Sequence, residues 1–333
     1  MSKATPISEL QKFHFGSKIF CSDGEEGILA HVIFDPGTCC MTHIGVKQGR
    51  FFGKTVELPF DAVVSATGEG VTLSVKRADV VAAPTTRANG ALLDSKTIVD
   101  RAQAPGKGTL KLVGVHPENG ELAYLVAHHL RPGHDALLGE EFVSTLENEH
   151  VTISIPDETL NSLPPYRHDN VLQQEVEAIV YDLTPLHIDL GGITMRVLDG
   201  VLYLDGNISS ALRADIVQDQ VSGVEGLLEI KNNLVGDDKL AADLAMALGN
   251  DPRTRELPIG VYPRLGVVRL SGAVHNNQQK AAAEEIARNF PGVRAVINDL
   301  VVDPKAALLH VMSPAEGGQA EDKVPGKYVR HTK

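Results

Sequence analysis

Short runs of alternating apolar and polar residues fill the first half of the chain, and a helical period appears only in the second half. Val71, Leu73 and Val75, like Val151, Ile153 and Ile155, alternate with polar neighbours as half-buried strands do. They belong to two matching segments, FDAVVSATGEGVTLSV (60–75) and EEFVSTLENEHVTISI (140–155). A second matching pair, VIFDPGTCCMTHIGV (32–46) and VGVHPENGELAYLVA (113–127), sets Asp35-Pro36-Gly37 or Pro117-Glu118-Asn119-Gly120 between apolar runs. Proline fixes φ and glycine or asparagine accepts a left-handed turn, so each reads as a β-hairpin. Many short strands with turn signals and no helical period predict a small closed barrel or sandwich, made twice.

From HDNVLQQEVEAIVYDL onward the period changes. Leu172, Val176, Ile179, Val180 and Leu183 fall at helical spacing, with Asp169 placed as the N-cap. Two alternating strands follow, GITMRVLD and GVLYLDGNI; then SALRADIVQDQV sets Leu212, Ile216 and Val221 on one side of a helix, before a last strand in GVEGLLEIKNNLVGD. The same order returns from Lys239: KLAADLAMALG, PIGVYPRL, VVRLSGAV, NQQKAAAEEIARNF and PGVRAVINDLVV. Gly200 aligns with Gly266, Gly206 with Gly272, and Asn233-Leu234 with Asp299-Leu300, at one constant offset. Gly200 and Gly266 sit where a tight hairpin needs positive φ, and Gly206 and Gly272 where a side chain would obstruct the following connection. These four glycines are read as structural turn residues. Val201, Leu202, Leu204 and Ile208, or Val267, Val268, Leu270 and Val274, are read as feeding the helix-covered face.

Two family resemblances rest on these patterns. The opening Gly16-Ser17-Lys18, the Asp35-Pro36 turn, the glycine loop from Gly49 to Gly53 and the Leu58–Val63 segment resemble a PRC-barrel domain. The second strand-rich copy, ending in LNSLPPY, is similar but lacks the L-P-x-D-A-V segment. GVVRLSGAV and GVRAVINDL resemble the BON domain, an αββαβ module, and GVLYLDGNI with GVEGLLEIKNNL is a looser second example. The resemblances imply a multidomain fold of β plus α+β class: two small PRC-type β-barrels followed by two αββαβ BON modules. The implied boundaries are an arm at 1–12, barrels at 13–85 and 90–166, BON modules at 169–237 and 238–304, and a tail at 305–333 that is flexible or ordered by a partner. BON relatives associated with potassium or phospholipid imply a cation or a lipid headgroup as ligand, and PRC-barrel relatives imply a ribosome- or RNA-processing accessory.

Composition narrows the function. Thirty-one basic residues stand against 43 acidic ones, the net charge is −12, and aromatic content is 5% with no Trp. Phosphate backbones demand clustered Lys and Arg and single strands demand stacking platforms, so nucleic acid is disfavoured. No nucleophile elbow, zinc-protease helix, P-loop or C-x-x-C motif occurs, which predicts a protein that is not an enzyme. His128, His129, His134 and Asp135 are the candidate metal ligands, and the acidic turn residues Asp199, Asp205, Asp237 and Asp238 are a second candidate for a cation; no other cofactor is expected. Tyr262 and Arg264 are candidates for ligand or lipid contact, pairing an aromatic ring with a cation. Val324, Tyr328 and Val329 are the apolar anchors of a basic tail suited to self-association. Cys21, Cys39 and Cys40 cannot build a disulfide framework, and the start of the sequence has no apolar signal region, so the expected compartment is the cytoplasm, with peripheral membrane attachment or export by another route left open. The leading expectation is a bacterial homo-oligomer assembled through tandem modules into rings or filaments, the alternative a stress-linked sensor of an ion or headgroup.

Overall fold

The computed structural model describes residues 5–49, 53–82, 87–102, 106–183 and 189–305. It divides into two compact units between Lys239 and Leu240. The larger unit begins with two strand-rich repeats. The first runs β1 (Gln11–His14), β2 (Lys18–Cys21), β3 (Gly24–Asp35), β4 (Cys40–Gln48), β5 (Thr55–Pro59), β6 (Val63–Thr67), β7 (Gly70–Leu73) and α1 (Arg77–Ala82). The second runs β8 (Ala91–Asp94), β9 (Ile98–Arg101), β10 (Lys107–Val115), β11 (Leu122–Arg131), β12 (His134–Gly139), β13 (Val143–Glu147), β14 (His150–Ile153) and α2 (Asp157–Ser162).

The two repeats exchange their opening strands. β1 pairs antiparallel with β10 of the second repeat, Gln11 opposite Val115 and His14 opposite Leu112. Reciprocally, β8 pairs with β3 of the first, Ala91 opposite Phe34 and Asp94 opposite His31. The resulting sheets follow the orders β5-β4-β3-β2-β7-β6 and β13-β14-β9-β10-β11-β12, each with its borrowed strand attached off this path. An arm at 1–12 and barrels at 13–85 and 90–166 therefore do not separate in space, because a strand of each half completes the sheet of the other. One core serves both, with Phe13, Ile19, Phe34 and Leu73 packed in the same cluster as Leu110, Leu125, Val151 and Ile153. Residues in β10 and β11 are buried on both faces, since Leu112, Tyr124 and Val126 pack into a second cluster with Leu10 and Tyr166. This explains the nearly unbroken apolar run LAYLVA, where one-sided burial would give strict alternation.

Gly45 and Gly114 mark places where a ring lies over the strand. A Cβ on Gly45 would fall 2.3 Å from the His31 ring, and one on Gly114 2.2 Å from that of Tyr124. His31 is thus held inside the sheet with Nε2 3.2 Å from Glu57 Oε1. Burial pushes its imidazole pKa down; the Glu57 hydrogen bond and charge and the more distant Asp94 oppose this, and Arg87 adds to it. With the folded value below the unfolded one, the unfolded chain takes up the proton first as pH falls through the ordinary imidazole range of ~6.5. Stability is then full above that range and declines as pH drops toward the folded value. The melting temperature of the larger unit should fall between about pH 7 and pH 5, and His31→Gln should remove part of that slope in pH-dependent calorimetry.

After β15 (Pro165–Tyr166), which edges the second sheet, the larger unit ends in an αββαβ module. It comprises α3 (Asp169–Asp182), β16 (Ile193–Leu198), β17 (Val201–Ile208), α4 (Ala211–Val221) and β18 (Glu229–Gly236). β16 and β17 form an antiparallel hairpin and β18 joins β17 in parallel. Leu172, Val176 and Val180 of α3 pack with Ala214, Val217 and Val221 of α4 over Val197, Leu202, Leu204 and Ile208. The helix face expected of α4 is rotated. Leu212 is 68% exposed and Ile216 38%, because Ala214 and Val217 fit the narrow gap above the sheet and the bulkier pair is left outside. Asp169 is the first residue of α3 rather than its N-cap, and its carboxylate serves the neighbouring hairpin instead.

The smaller unit repeats this order with α5 (Asp237–Asn250), which begins just before the boundary, then β19 (Ile259–Arg264), β20 (Val267–Val274), α6 (Asn277–Arg288) and β21 (Ala295–Asn298); β22 (Val301–Val302) extends the far end of β20. Its sheet order, β19-β20-β21 with an antiparallel hairpin and a parallel third strand, is that of the preceding module. Val268, Leu270 and Val274 are buried, as are Ala282, Ala283 and Ala287 of α6 and Leu240, Leu244 and Leu248 of α5. Asn276 caps α6 by accepting the Gln279 N–H at 2.9 Å, matching Ser210 at the start of α4. No helix among the described residues is long and apolar enough to cross a membrane.

Candidate functional site

Both αββαβ modules turn their first hairpin through two residues of positive φ, Asp199 (54°) and Gly200 (74°) in one, Leu265 (47°) and Gly266 (77°) in the other. Two successive left-handed residues are what a two-residue type I′ hairpin requires, and Asp-Gly is a favoured choice for it. The tip, together with the start of the third strand, forms one edge of each module. In the larger unit this edge is covered.

Asp199 is 1% exposed. Its Oδ1 lies 2.6 Å from His14 Nε2, and its Oδ2 accepts the Gly68 N–H at 2.9 Å. Both contacts reach the strand-exchanged body, one on β1 and the other on the turn between β6 and β7. Asp169 fixes the tip from behind, accepting the N–H groups of Asp199 and Gly200 at 2.8 Å each. On the third strand, Glu229 accepts the Ser8 N–H at 2.7 Å and the Ser8 hydroxyl at 2.9 Å. Burial alone would raise the Glu229 pKa, but these bonds and those from Lys231 outweigh it and hold the carboxyl below its ordinary range. Lys12 is buried alongside; burial lowers its pKa, and the charges of Asp199 and Glu229 partly restore it. Leu228 packs against the cluster of Leu112, Tyr124 and Tyr166. Arg196 pairs with Glu69 at 2.6 Å, an exposed bridge that adds little.

A cleft of about 300 Å³ remains along this seam, lined among others by His14, Lys111, Tyr166 and Asp169. The His14–Asp199 hydrogen bond and the Gly68 N–H bond cross this seam and join two modules.

In the smaller unit no described residue covers the equivalent edge. Tyr262, Arg269 and Ile297 stand opposite one another across β19, β20 and β21, and the next row is Arg264, Val267 and Ala295. Tyr262 is 60% exposed. With Leu265 and Arg294 these residues line a cleft of about 780 Å³. Arg269 meets Asp299 at 3.4 Å, while Arg264 and Arg294 have no acidic partner among the described residues. Val201 and Val267 occupy equivalent places in the two modules; Val201 is fully buried, whereas Val267 borders the cleft.

The remaining candidates fall elsewhere. Gly206 and Gly272 have φ of 112° and 118°, and a Cβ there would strike the backbone carbonyl oxygen of Gly192 or Pro258. The histidine cluster does not gather into a metal site. Asp135 lies 2.5 Å from His128 and takes Lys111 at 3.0 Å, while His129 (φ 59°) and His134 face outward at the hairpin end. Hydrogen bonds from Lys111 and His128 hold the Asp135 carboxyl below its usual range, against the upward push of burial. No group of three or more His, Cys, Asp or Glu suited to a metal occurs among the described residues. Of the acidic turn residues, Asp199 is consumed by the seam, Asp205 accepts from Asn233 and Asp238 accepts the Ala211 N–H. The three cysteines are free thiols, Cys21 buried and Cys39 and Cys40 half-buried. Val324, Tyr328 and Val329 lie outside the described residues. Sequence reasoning missed Gly68 and His14 as partners of Asp199, because neither residue lies near Asp199 in the sequence and the Asp-Gly pair reads as an ordinary turn.

The smaller unit is thus an αββαβ module with a four-stranded sheet, α6 packed against β20 and β21, and a tyrosine- and arginine-lined edge at its hairpin tip. Residues 236–304 match the BON domain. The chain is also 26% identical over 157 residues to Osmotically-inducible protein Y of Escherichia coli (strain K12), an alignment covering 43% of this chain and 77% of that protein. Two solved structures of CdsD, a structural protein of the Type III secretion system of Chlamydia trachomatis, are similar to it. One has a TM-score of 0.32 at 15% identity, covering 40% of this chain and 61% of that one. The other, of the C-terminal domain, has a TM-score of 0.35 at 18% identity, covering 45% and 71%.

Proposed function

We propose that the chain is a non-catalytic bacterial scaffold protein, stress-linked, that associates with further copies of itself through its tandem modules. One observation carries this reading: among the described residues, an edge that the first αββαβ module buries against the strand-exchanged body is left uncovered in the BON domain, with an exposed tyrosine and two arginines that have no acidic partner. The first module is taken as a second BON domain, supported by its identical strand pairing and by an alignment with Osmotically-inducible protein Y longer than one module. The body is taken as two PRC-type repeats that have exchanged strands. The stress link rests on the name of that relative, and bacterial origin on its source.

Sedimentation velocity across a wide concentration range tests the reading. Self-association appears as a sedimentation coefficient that rises with concentration, and a single monomeric species throughout overturns it. A second reading, in which Tyr262 and Arg264 hold an anionic phospholipid headgroup, is supported by the aromatic ring lying among arginines on an open face.

A further inference from the structure

At the hairpin tip and the start of the third strand, the two edges show an inversion of charge. At the constant offset between the modules, Leu198 corresponds to Arg264, Asp199 to Leu265, Leu228 to Arg294 and Glu229 to Ala295. The first edge brings two carboxylates to a surface carrying His14 and Lys12. The second brings Arg264 and Arg294, with Arg269 one row behind, and sets an apolar side chain at the tip where the first has a charge. Its complement is therefore an acidic surface with an apolar floor. Leu265 marks the tip as a contact point, because a leucine at φ 47° costs about 1–2 kcal/mol that Asp, Asn or Gly would avoid. A leucine in this conformation, half-exposed between arginines, offers the edge an apolar point of contact.

The larger unit carries such a surface. A groove of about 690 Å³ runs between the segment before β1 and the ends of β10, β11 and β12. Glu9, Glu118, Glu121, Glu140 and Glu141 rim it, all exposed and none with a basic partner among the described residues. Ile7, Leu10 and Leu137 supply its apolar floor. We infer that the Tyr262–Arg264–Arg294 edge of one copy docks into the Glu140–Glu141 groove of a second copy. This rests on the self-association reading above and gives it a direction. The two surfaces differ, so the contact is heterologous: the copy that gives its edge keeps a free groove and the copy that gives its groove keeps a free edge, from which a ring or an open fibre grows. Because the pairing is charge against charge at an exposed rim, it weakens as salt rises.

Two charge-reversed proteins test it, Arg264→Glu with Arg294→Glu, and Glu140→Lys with Glu141→Lys. All four side chains are exposed, so each protein should keep the circular dichroism and melting profile of the wild type; Tyr262→Ala is a milder variant of the same edge. Wild type should associate with concentration, each reversed protein should show a dissociation constant raised at least about a hundredfold, and an equimolar mixture of the two should associate again. A groove variant that associates as wild type does overturns this interface while leaving self-association standing. A wild type that stays monomeric overturns both. A monomeric wild type that sediments with phosphatidylglycerol vesicles, but not with phosphatidylcholine vesicles, gives the edge to a lipid headgroup instead.

Discussion

Gly272→Ala is expected to abolish the cooperative melting of the smaller unit while the larger unit melts as before. The position has φ 118° and stands opposite Ile259 in the β19–β20 pair. An alanine Cβ would lie 1.9 Å from the Pro258 carbonyl oxygen, 3.1 Å from its carbon and 3.5 Å from Ile259 Cα. All three are backbone atoms, so relief requires β19 itself to move away and give up its pairing. The unfavourable φ alone costs of order 1–3 kcal/mol, and the displaced strand adds more, for a total of about 4 kcal/mol or above. Marginal stability of ~5 kcal/mol is ordinary for a small unit, so little remains. Gly249→Ala is the control: it sits within α5 with nothing inside 4 Å of its added Cβ, and should stabilise the helix by up to ~1 kcal/mol. Differential scanning calorimetry reads both, and a Gly272→Ala protein with an unaltered second transition would refute the steric argument.

Asp199→Ala should detach the first αββαβ module from the strand-exchanged body. The substitution removes the acceptor of the Gly68 N–H and the partner of His14 from a place that is 1% exposed. Leaving buried donors without an acceptor costs about 2–4 kcal/mol, and alanine at φ 54° adds roughly 1 kcal/mol that aspartate tolerates better. Asp199→Asn separates the contributions, since asparagine keeps the turn preference and one acceptor oxygen but loses the charge facing Lys12 and His14. Hydrogen exchange at the Gly68 amide is the direct readout. Exchange should rise strongly in the alanine protein and less in the asparagine protein, and an unchanged Gly68 amide would show that the seam is held by packing alone.

The αββαβ modules were legible because their glycines are dictated locally. Gly200, Gly206, Gly266 and Gly272 each answer to a positive φ, and a positive φ leaves its mark on the residue itself. Tyr262 and Arg264 stand out in the sequence as an aromatic and a cation on a strand where core positions are apolar, and both line the cleft of the smaller unit. Strand exchange left no such mark. The pattern of QKFH and ALLD records which face of a strand is buried, and carries nothing about which sheet it joins. Lys12 even argues against burial, since its neutralising carboxylates, Asp199 and Glu229, lie far along the sequence. The α4 face was misread because Ala214 fills a core position that periodicity assigns to larger residues such as Leu212. Asp199 looked like a turn residue, and it is one; its second role depends on His14 and Gly68, which no local spacing connects to it.

Strand exchange between the repeats also governs how the protein is made. While the chain is emerging from the ribosome, β1 has no sheet to join until Lys107–Val115 has been synthesised, and β3 waits for Ala91–Asp94 before its free side is closed. The first repeat cannot finish its core alone, so the nascent chain carries an unpaired strand edge until β10 of the second repeat has been made, a stretch in which holding chaperones have their natural target. Once closed, the interlock works the other way. Neither half can fray without dragging a strand out of its neighbour, and the pair opens as a single cooperative block.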